Sequence, residues 1–371
     1  MLSVFSSPAR YVQGPDATQR LPAELLRSGL RGPYLVVASP SASRLLQAVW
    51  ASSFSAEGLA LTEVLFSGEC SHEEIGRLVD VAQRIGAQSL IGAGGGKTLD
   101  ATRAAAAALG LPVVCCPTTA ASDAPCSALS VIYDASGAFE ECLFYPRNPD
   151  LVLVDTRVIA KAPVRQLIAG MGDALATRFE AEASRKAFRM NVVGGFSTMA
   201  AAALADLCYR TLLSDGEAAV ESCKAGAVTP ALERIVEANT LLSGLGFESG
   251  GLALAHSIHN GLTVAPETHD RLHGEKVAFG TLVQLVMEGR DSDTLQEVLD
   301  FCVRVGLPIT LAQLGLDHLP ESLVHAIAER AIAEGETSHN MPFPLSVRSV
   351  ADALLTADAI GRAKLEAAAG R

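Results

Sequence analysis

The sequence predicts an α/β domain with a mostly parallel sheet, followed by an all-helical domain, with the boundary near residue 160. Three observations carry this reading. Short apolar, often β-branched runs alternate with helical patterns through the first part of the chain, as crossover units require. Strand signals nearly vanish after Pro163. At 371 residues the chain also exceeds one ordinary core, so two domains, 1–160 and 161–371, are the natural division.

In the first domain the strand-like runs are Tyr34–Ala38, Leu61–Phe66, Leu90–Gly92, Val113–Cys116, Leu129–Tyr133 and Leu151–Val154. Helical patterns at Ser41–Ala51, His72–Ile85 and Lys97–Leu109 separate several of them. Ligands of such sheets bind beyond the carboxyl ends of the strands. Pro117-Thr118-Thr119 stands at such an end, and so does Gly94-Gly95-Gly96-Lys97. Three glycines let main-chain N–H groups touch phosphate oxygens, the helix that follows adds its positive end, and Lys97 adds a cation. By itself the run fits a nucleotide as well as a dinucleotide.

The second domain reads as helices at Asp173–Ala187, Phe196–Leu213, Pro230–Ser243, Leu252–Asn260, Gly274–Glu288, Ser292–Val305, Leu323–Ala333 and Ser349–Ala368. Gly170-Met171-Gly172-Asp173 reads as glycines opening a helix that begins with an acid. Asp173 either caps that helix or serves as a metal ligand. His256, His259, His269 and His273 crowd one stretch. His256 and His259 are helical neighbours at a spacing of three, and neutral imidazoles there suit a divalent metal as well as packing roles.

Composition excludes several classes. A hydrophobic content of 49% with 19% charged residues describes a soluble globular protein, and a net charge of −12 argues against nucleic acid or an anionic membrane as partner. The eight cysteines form no Cys-x-x-Cys pair and read as reduced packing residues of a cytoplasmic protein. Met-Leu-Ser-Val-Phe-Ser-Ser-Pro is not a signal peptide, and no window reaches the ~18 apolar residues of a membrane span.

One ordered set of segments runs the length of the chain: Gly94 to Asp100, Ser122 to Tyr133, Gly172 to Thr177, Gly246 to Leu252, Ala255 to Thr263, and His273 to Thr281. This set resembles the metal-dependent, iron-containing type alcohol dehydrogenase family, and within it the branch acting on glycerol. The resemblance implies a dehydroquinate synthase-like architecture with the active site in the cleft between a dinucleotide-binding and a helical domain. It implies NAD-dependent, zinc-assisted, reversible oxidation of glycerol to dihydroxyacetone by a large homo-oligomer, commonly an octamer. Asp173, His256 and His273 would hold a catalytic Zn²⁺ and meet the substrate, with His259 and His269 behind them or relaying protons. Asp123 would contact polyol hydroxyls, its plainer alternative being a turn-forming Asp before Ala-Pro. Gly95, Gly96 and Lys97 would hold the NAD diphosphate, and Thr118, Ser127, Leu129 and Tyr133 would line the nicotinamide and ribose side. Gly94, Asp100 and Thr119 would complete that site.

Two departures from the family pattern stand out. Ser39 occupies the end of Val36-Val37-Ala38, where relatives usually carry an Asp that holds the adenosine ribose and repels a 2′-phosphate. With Arg44 nearby, weaker discrimination against NADP is expected. Ala121 stands where a serine is common, at the cost of one hydrogen bond. Alternatives are a dehydrogenase of another small 1,2-diol or hydroxy-ketone, a dehydroquinate synthase-like lyase, and a non-catalytic sensor. The lyase needs a basic pocket, and no Lys/Arg cluster accompanies the histidines. Fe²⁺ or Mn²⁺ would also suit an Asp-His-His set. Thr337 to Pro342 matches the family too and reads as a packed loop.

Overall fold

Strands buried on both faces read as unbroken apolar runs and belong in the middle of a parallel sheet. The computed structural model, which describes residues 2–134 and 137–369, bears this out. β1 (Tyr11–Gly14), β2 (Tyr34–Ala38), β3 (Leu61–Leu65), β4 (Ser89–Gly94), β5 (Val113–Pro117) and β8 (Leu151–Asp155) form one parallel sheet in the order β1-β8-β5-β4-β2-β3. Side chains alternate across it. Val36, Ile91, Val114 and Leu153 pack on one face beneath α1 (Leu21–Arg27) and α2 (Pro40–Ala56). Leu35, Val37, Leu90 and Val113 pack on the other beneath α3 (His72–Arg84) and α4 (Gly96–Leu109).

Local chemistry sets the helix starts. Ser39 N-caps α2 by accepting from the Ala42 N–H, with Pro40 at the first helical position. Ser71 caps α3 in the same way. α4 has only Gly95 as its N-cap, so its first N–H groups find no side-chain partner there.

The strand-like run Leu129–Tyr133 is a strand but lies outside the parallel sheet. It is β6, paired antiparallel with β7 (Phe139–Phe144) in a separate hairpin. A parallel neighbour of β5 would have needed a helical crossover of about a dozen residues, and none lies between β5 and β6. β1 and α1, four and seven residues long, are too short to show a period.

The rest of the described chain is helical: α5 (Thr156–Ile159), α6 (Val164–Lys186), α7 (Met199–Lys224), α8 (Pro230–Glu237), α9 (Ser243–Gly250), α10 (Leu254–Leu262), α11 (His273–Met287), α12 (Ser292–Val305), α13 (Glu321–Ala331) and α14 (Val347–Ala369). A π-helical turn, Ala238–Leu242, joins α8 to α9. α6 begins well before Asp173, which therefore sits in mid-helix and does not cap it.

The chain forms two compact units, and one cut does not separate them. The sheet unit is Ser6–Pro163 with Ser222–Gly244, and the helical unit holds the remainder. α8 belongs with the sheet because Glu233 accepts from Gln13 at 2.7 Å and from Thr156 at 2.7 Å.

Candidate functional site

Within the helical unit, α6, α10 and α11 bring Asp173, His256 and His273 together. Their ligand atoms all lie within 4.8 Å of one another. Both imidazoles turn Nε2 toward Asp173 Oδ1, at 3.3 Å for His256 and 3.1 Å for His273. A tetrahedral metal with bonds of about 2.0–2.1 Å separates its ligand atoms by roughly 3.3 Å, so this donor set fits such an ion. Burial pushes the Asp173 carboxyl up, but the two histidines that face it outweigh this and hold Asp173 well below the usual carboxylate range. The acid is ionised.

The helices meet this closely because glycines stand beside the ligands. A Cβ on Gly274 would lie 1.8 Å from the Ala169 carbonyl oxygen, and one on Gly172 would lie 2.3 Å from the Gly274 carbonyl oxygen. A Cβ on Gly280 would come within 2.3 Å of the Ala255 oxygen. Backbone thus touches backbone where α6 crosses α11 and where α11 crosses α10. Asp173 follows Gly172, His273 precedes Gly274 and His256 follows Ala255, so each crossing sets a ligand.

Glu180, one of the residues the sequence reading missed, orients His256. Its carboxylate accepts from His256 Nδ1 at 2.6 Å and from the backbone N–H groups of Ala253 and His256 at 2.9 and 3.0 Å. It therefore caps α10 from another helix and fixes the hydrogen of His256 on Nδ1, leaving Nε2 for a ligand. A signal existed: Glu180 lies two turns beyond Asp173 on the same face of α6. His259 Nε2 is 3.1 Å from His273 Nδ1. Burial, with the neighbouring His273 second, lowers the His259 pKa well below its ordinary value. His269 goes elsewhere, its ring bonded to the Thr263 carbonyl at 3.0 Å.

In the sheet unit, Gly94 ends β4 and Gly95-Gly96 open α4. The order of the strands reverses between β2 and β4, the switch point at which open sheets bind ligands. A Cβ on Gly94 would lie 2.7 Å from Thr98 Oγ1, whereas one on Gly95 or Gly96 would meet nothing within 4 Å. Gly94 is thus needed for the close turn, while Gly95 and Gly96 face open space at the start of α4, whose N-cap offers no side-chain bond. Ser39 lies at the same end, its N–H donating to the Ala93 carbonyl at 2.9 Å.

Other expected cofactor residues divide. Thr118 follows β5, its N–H bonded to the Gly94 carbonyl, and Thr119 is half-buried in the same loop. Lys97 pairs with Glu69 at 2.6 Å and lies 4.6 Å over the Tyr133 ring. Asp100 and Ser127 are buried in structural bonds. Asp100 accepts from Arg103 at 2.7 Å and from the Val131 N–H at 3.1 Å, and the Ser127 hydroxyl closes a turn onto Ala124. Arg103, 2% exposed, also donates to the carbonyls of Leu129 and Ala124 and so ties down the segment after Asp123. Asp123 accepts from Ser243 Oγ at 2.8 Å, next to the π-helical turn whose Asn239 donates to the Ala120 carbonyl at 3.0 Å. Arg103, Ser243 and Asn239 carried no sequence signal of their own.

Residues 8–156 match the family model described as iron-containing alcohol dehydrogenase. The glycerol dehydrogenase of Citrobacter freundii is 50% identical over 98% of this chain and 99% of its own length. The chain belongs to the iron-containing alcohol dehydrogenase family. The glycolaldehyde reductase of Halobacterium salinarum is 46% identical over 98% of this chain and 99% of its own. The crystal structure of the glycerol dehydrogenase from Schizosaccharomyces pombe, 38% identical, superposes with a TM-score of 0.95 over 99% of this chain and 93% of its own. The family model stops before α6, and these full-length likenesses carry family membership through the helical unit. Like the family, the chain is an oxidoreductase acting on CH–OH groups. Among the described residues, no helix is long and apolar enough to cross a membrane.

Proposed function

We propose that this chain catalyses the reversible oxidation of glycerol to dihydroxyacetone with NAD, assisted by Zn²⁺ held by Asp173, His256 and His273. The observation that carries the reading is the convergence of two Nε2 atoms on one ionised carboxylate, each beside a glycine crossing that fixes it. The glycerol dehydrogenase relatives, at about half identity over nearly the whole chain, support the substrate. When bound, Zn²⁺ supplies Lewis acidity toward the substrate hydroxyl and NAD⁺ accepts the hydride. The protein's own residues bind and orient. Asp173 with two neutral imidazoles leaves one net positive charge for an alcohol oxygen. Glu180 keeps a hydrogen on His256 Nδ1 so that Nε2 stays a ligand, and Asp123, steadied by Ser243, accepts from a second polyol hydroxyl. Gly95, Gly96 and the start of α4 receive the diphosphate, with Gly94, Lys97, Thr118, Thr119, Leu129 and Tyr133 around it. Asp100 and Ser127 serve that site through the loop they hold.

The glycolaldehyde reductase relative favours a second reading, in which another small hydroxy-carbonyl or 1,2-diol is the preferred substrate. A substrate panel separates the two. We also propose a cytoplasmic homo-oligomer. The eight cysteines, seven of them buried, suit packing roles in a reducing compartment. The central test is NAD-dependent glycerol oxidation before and after chelation, with Zn²⁺ added back, alongside Asp173→Ala. Chelation and Asp173→Ala should each abolish turnover while NADH binding, followed by fluorescence, persists. Full activity in Asp173→Ala would refute the metal assignment.

A further inference from the structure

The segment expected as a packed loop, Thr337 to Pro342, grips together with Glu336 the helix α10 that carries His256 and His259. Thr337 Oγ1 donates to the Ala253 carbonyl at 2.7 Å, the Ser338 N–H donates to Ser257 Oγ at 2.7 Å, and Asn340 Nδ2 donates to the Leu252 carbonyl at 2.8 Å. Glu336 reaches further. Its Oε2 accepts from Asn260 Nδ2 at 2.9 Å while its Oε1 is paired with Arg330. Asn260 Oδ1 in turn lies 3.0 Å from His259 Nδ1.

This arrangement has a direction. A carboxylate only accepts hydrogen bonds, so the Asn260 amide nitrogen must face Glu336 and its oxygen must face His259. A neutral His259 then carries its hydrogen on Nδ1 and a lone pair on Nε2. That lone pair is 3.1 Å from His273 Nδ1 and takes its hydrogen. His273 is left with its lone pair on Nε2, the atom 3.1 Å from Asp173 Oδ1.

We propose that Glu336 and Asn260 are positioning residues of the metal centre: the chain Glu336–Asn260–His259–His273 fixes the tautomer in which His273 presents Nε2 to a divalent cation. The proposal rests on the metal reading above. Without Glu336 the Asn260 amide can turn its NH₂ toward His259, reversing each donor in the chain and placing a hydrogen on His273 Nε2, where it blocks ligation. Partners that orient a metal-bound histidine typically contribute about 10–100-fold to affinity.

The test measures Zn²⁺ affinity of the full-length, metal-stripped chain by competition with a chromophoric chelator. Glu336→Leu should weaken binding by about 10–100-fold. Glu336→Gln, whose amide oxygen can still accept from Asn260, should recover most of it. Asn260→Leu provides a second route should Glu336→Leu fold poorly, and it should weaken binding as Glu336→Leu does. Parent-like affinity in a folded Leu variant would overturn the proposal. Equal loss in Glu336→Leu and Glu336→Gln would also overturn it, because packing alone would then explain both. Asp173→Ala, measured in parallel, distinguishes the underlying failure: if it binds Zn²⁺ as the parent does, the metal assignment itself is wrong.

Discussion

Replacing Gly274 by alanine tests whether the helix crossings position the metal ligands. The new Cβ would lie 1.8 Å from the Ala169 carbonyl oxygen and 2.9 Å from the Asp173 nitrogen, both backbone atoms. Ordinary contact is about 3.5 Å, so α6 and α11 must separate by roughly 1.5 Å, with no flexible side chain to yield instead. Overpacking of this kind costs about 1–3 kcal/mol, and a clash with backbone belongs at the upper end. For a unit of this size about 3 kcal/mol lowers Tm by roughly 6–12 °C. Misplacing a reacting group by about 1 Å costs on the order of 100-fold in rate, and His273 is the adjacent residue. Gly274→Ala should therefore lose Tm, Zn²⁺ affinity and kcat together. Gly76→Ala is the control. It lies on the exposed side of α3 with nothing within 4 Å of its Cβ, so removing the glycine should stabilise by about 0.5–1 kcal/mol. Differential scanning fluorimetry, chelator competition and steady-state kinetics read the three quantities. Parent-like Tm and Zn²⁺ affinity in Gly274→Ala would refute the claim that the crossing sets the site.

Ser39→Asp should raise the NAD-over-NADP ratio of kcat/KM by at least about tenfold, because an acid there holds ribose hydroxyls and repels a 2′-phosphate. Asp also caps helices well, so α2 should be unharmed; an unchanged ratio would contradict the role given to Ser39. Glu275 accepts from the Leu272 N–H at 2.8 Å and from both ends of the Arg165 guanidinium. Burial raises its pKa, but the Arg165 hydrogen bonds lower it further, for a net depression below 4.5. A depressed carboxyl contributes stability that is fully present above its unfolded pKa and is lost as pH falls through the folded one. Melting temperatures of Glu275→Gln and parent should therefore differ at neutral pH and converge below about pH 4.5; a constant gap down to pH 3 would refute the assignment.

Much of the fold was legible because its signals are local. β2, β4, β5 and β8 are unbroken apolar runs, and α2 and α3 begin at Ser39 and Ser71, whose caps act within three residues. The hairpin was legible only in part. Leu129–Tyr133 has the composition of a strand, but composition does not choose a partner, and only the absent crossover helix marked it as antiparallel. The return of Ser222–Gly244 to the sheet unit rests on Gln13 and Thr156 meeting Glu233, contacts that no window of sequence contains.

The same distinction explains the site. Asp173, His256 and His273 could be proposed from residue type and family likeness, but the groups that set their orientation come from far along the chain: Glu180 is 76 residues from His256, and Ser243 is 120 residues from Asp123. Polar residues such as these look like any other on a helix until the helices are placed. The glycines are the exception, because their signal is local although their effect is not. Gly172 directly precedes Asp173 and Gly274 directly follows His273, in helices that gain nothing intrinsically from glycine. A glycine kept beside a candidate ligand, at a cost to its own helix, implies that another backbone must arrive there, and each of these two glycines is met by the other's helix. Read this way, Gly-Asp in one helical segment and His-Gly in another predict a crossing as well as two ligands. That pairing depends on neither histidine count nor capping preference, and it would have removed the ambiguity that Asp173 presented as a cap.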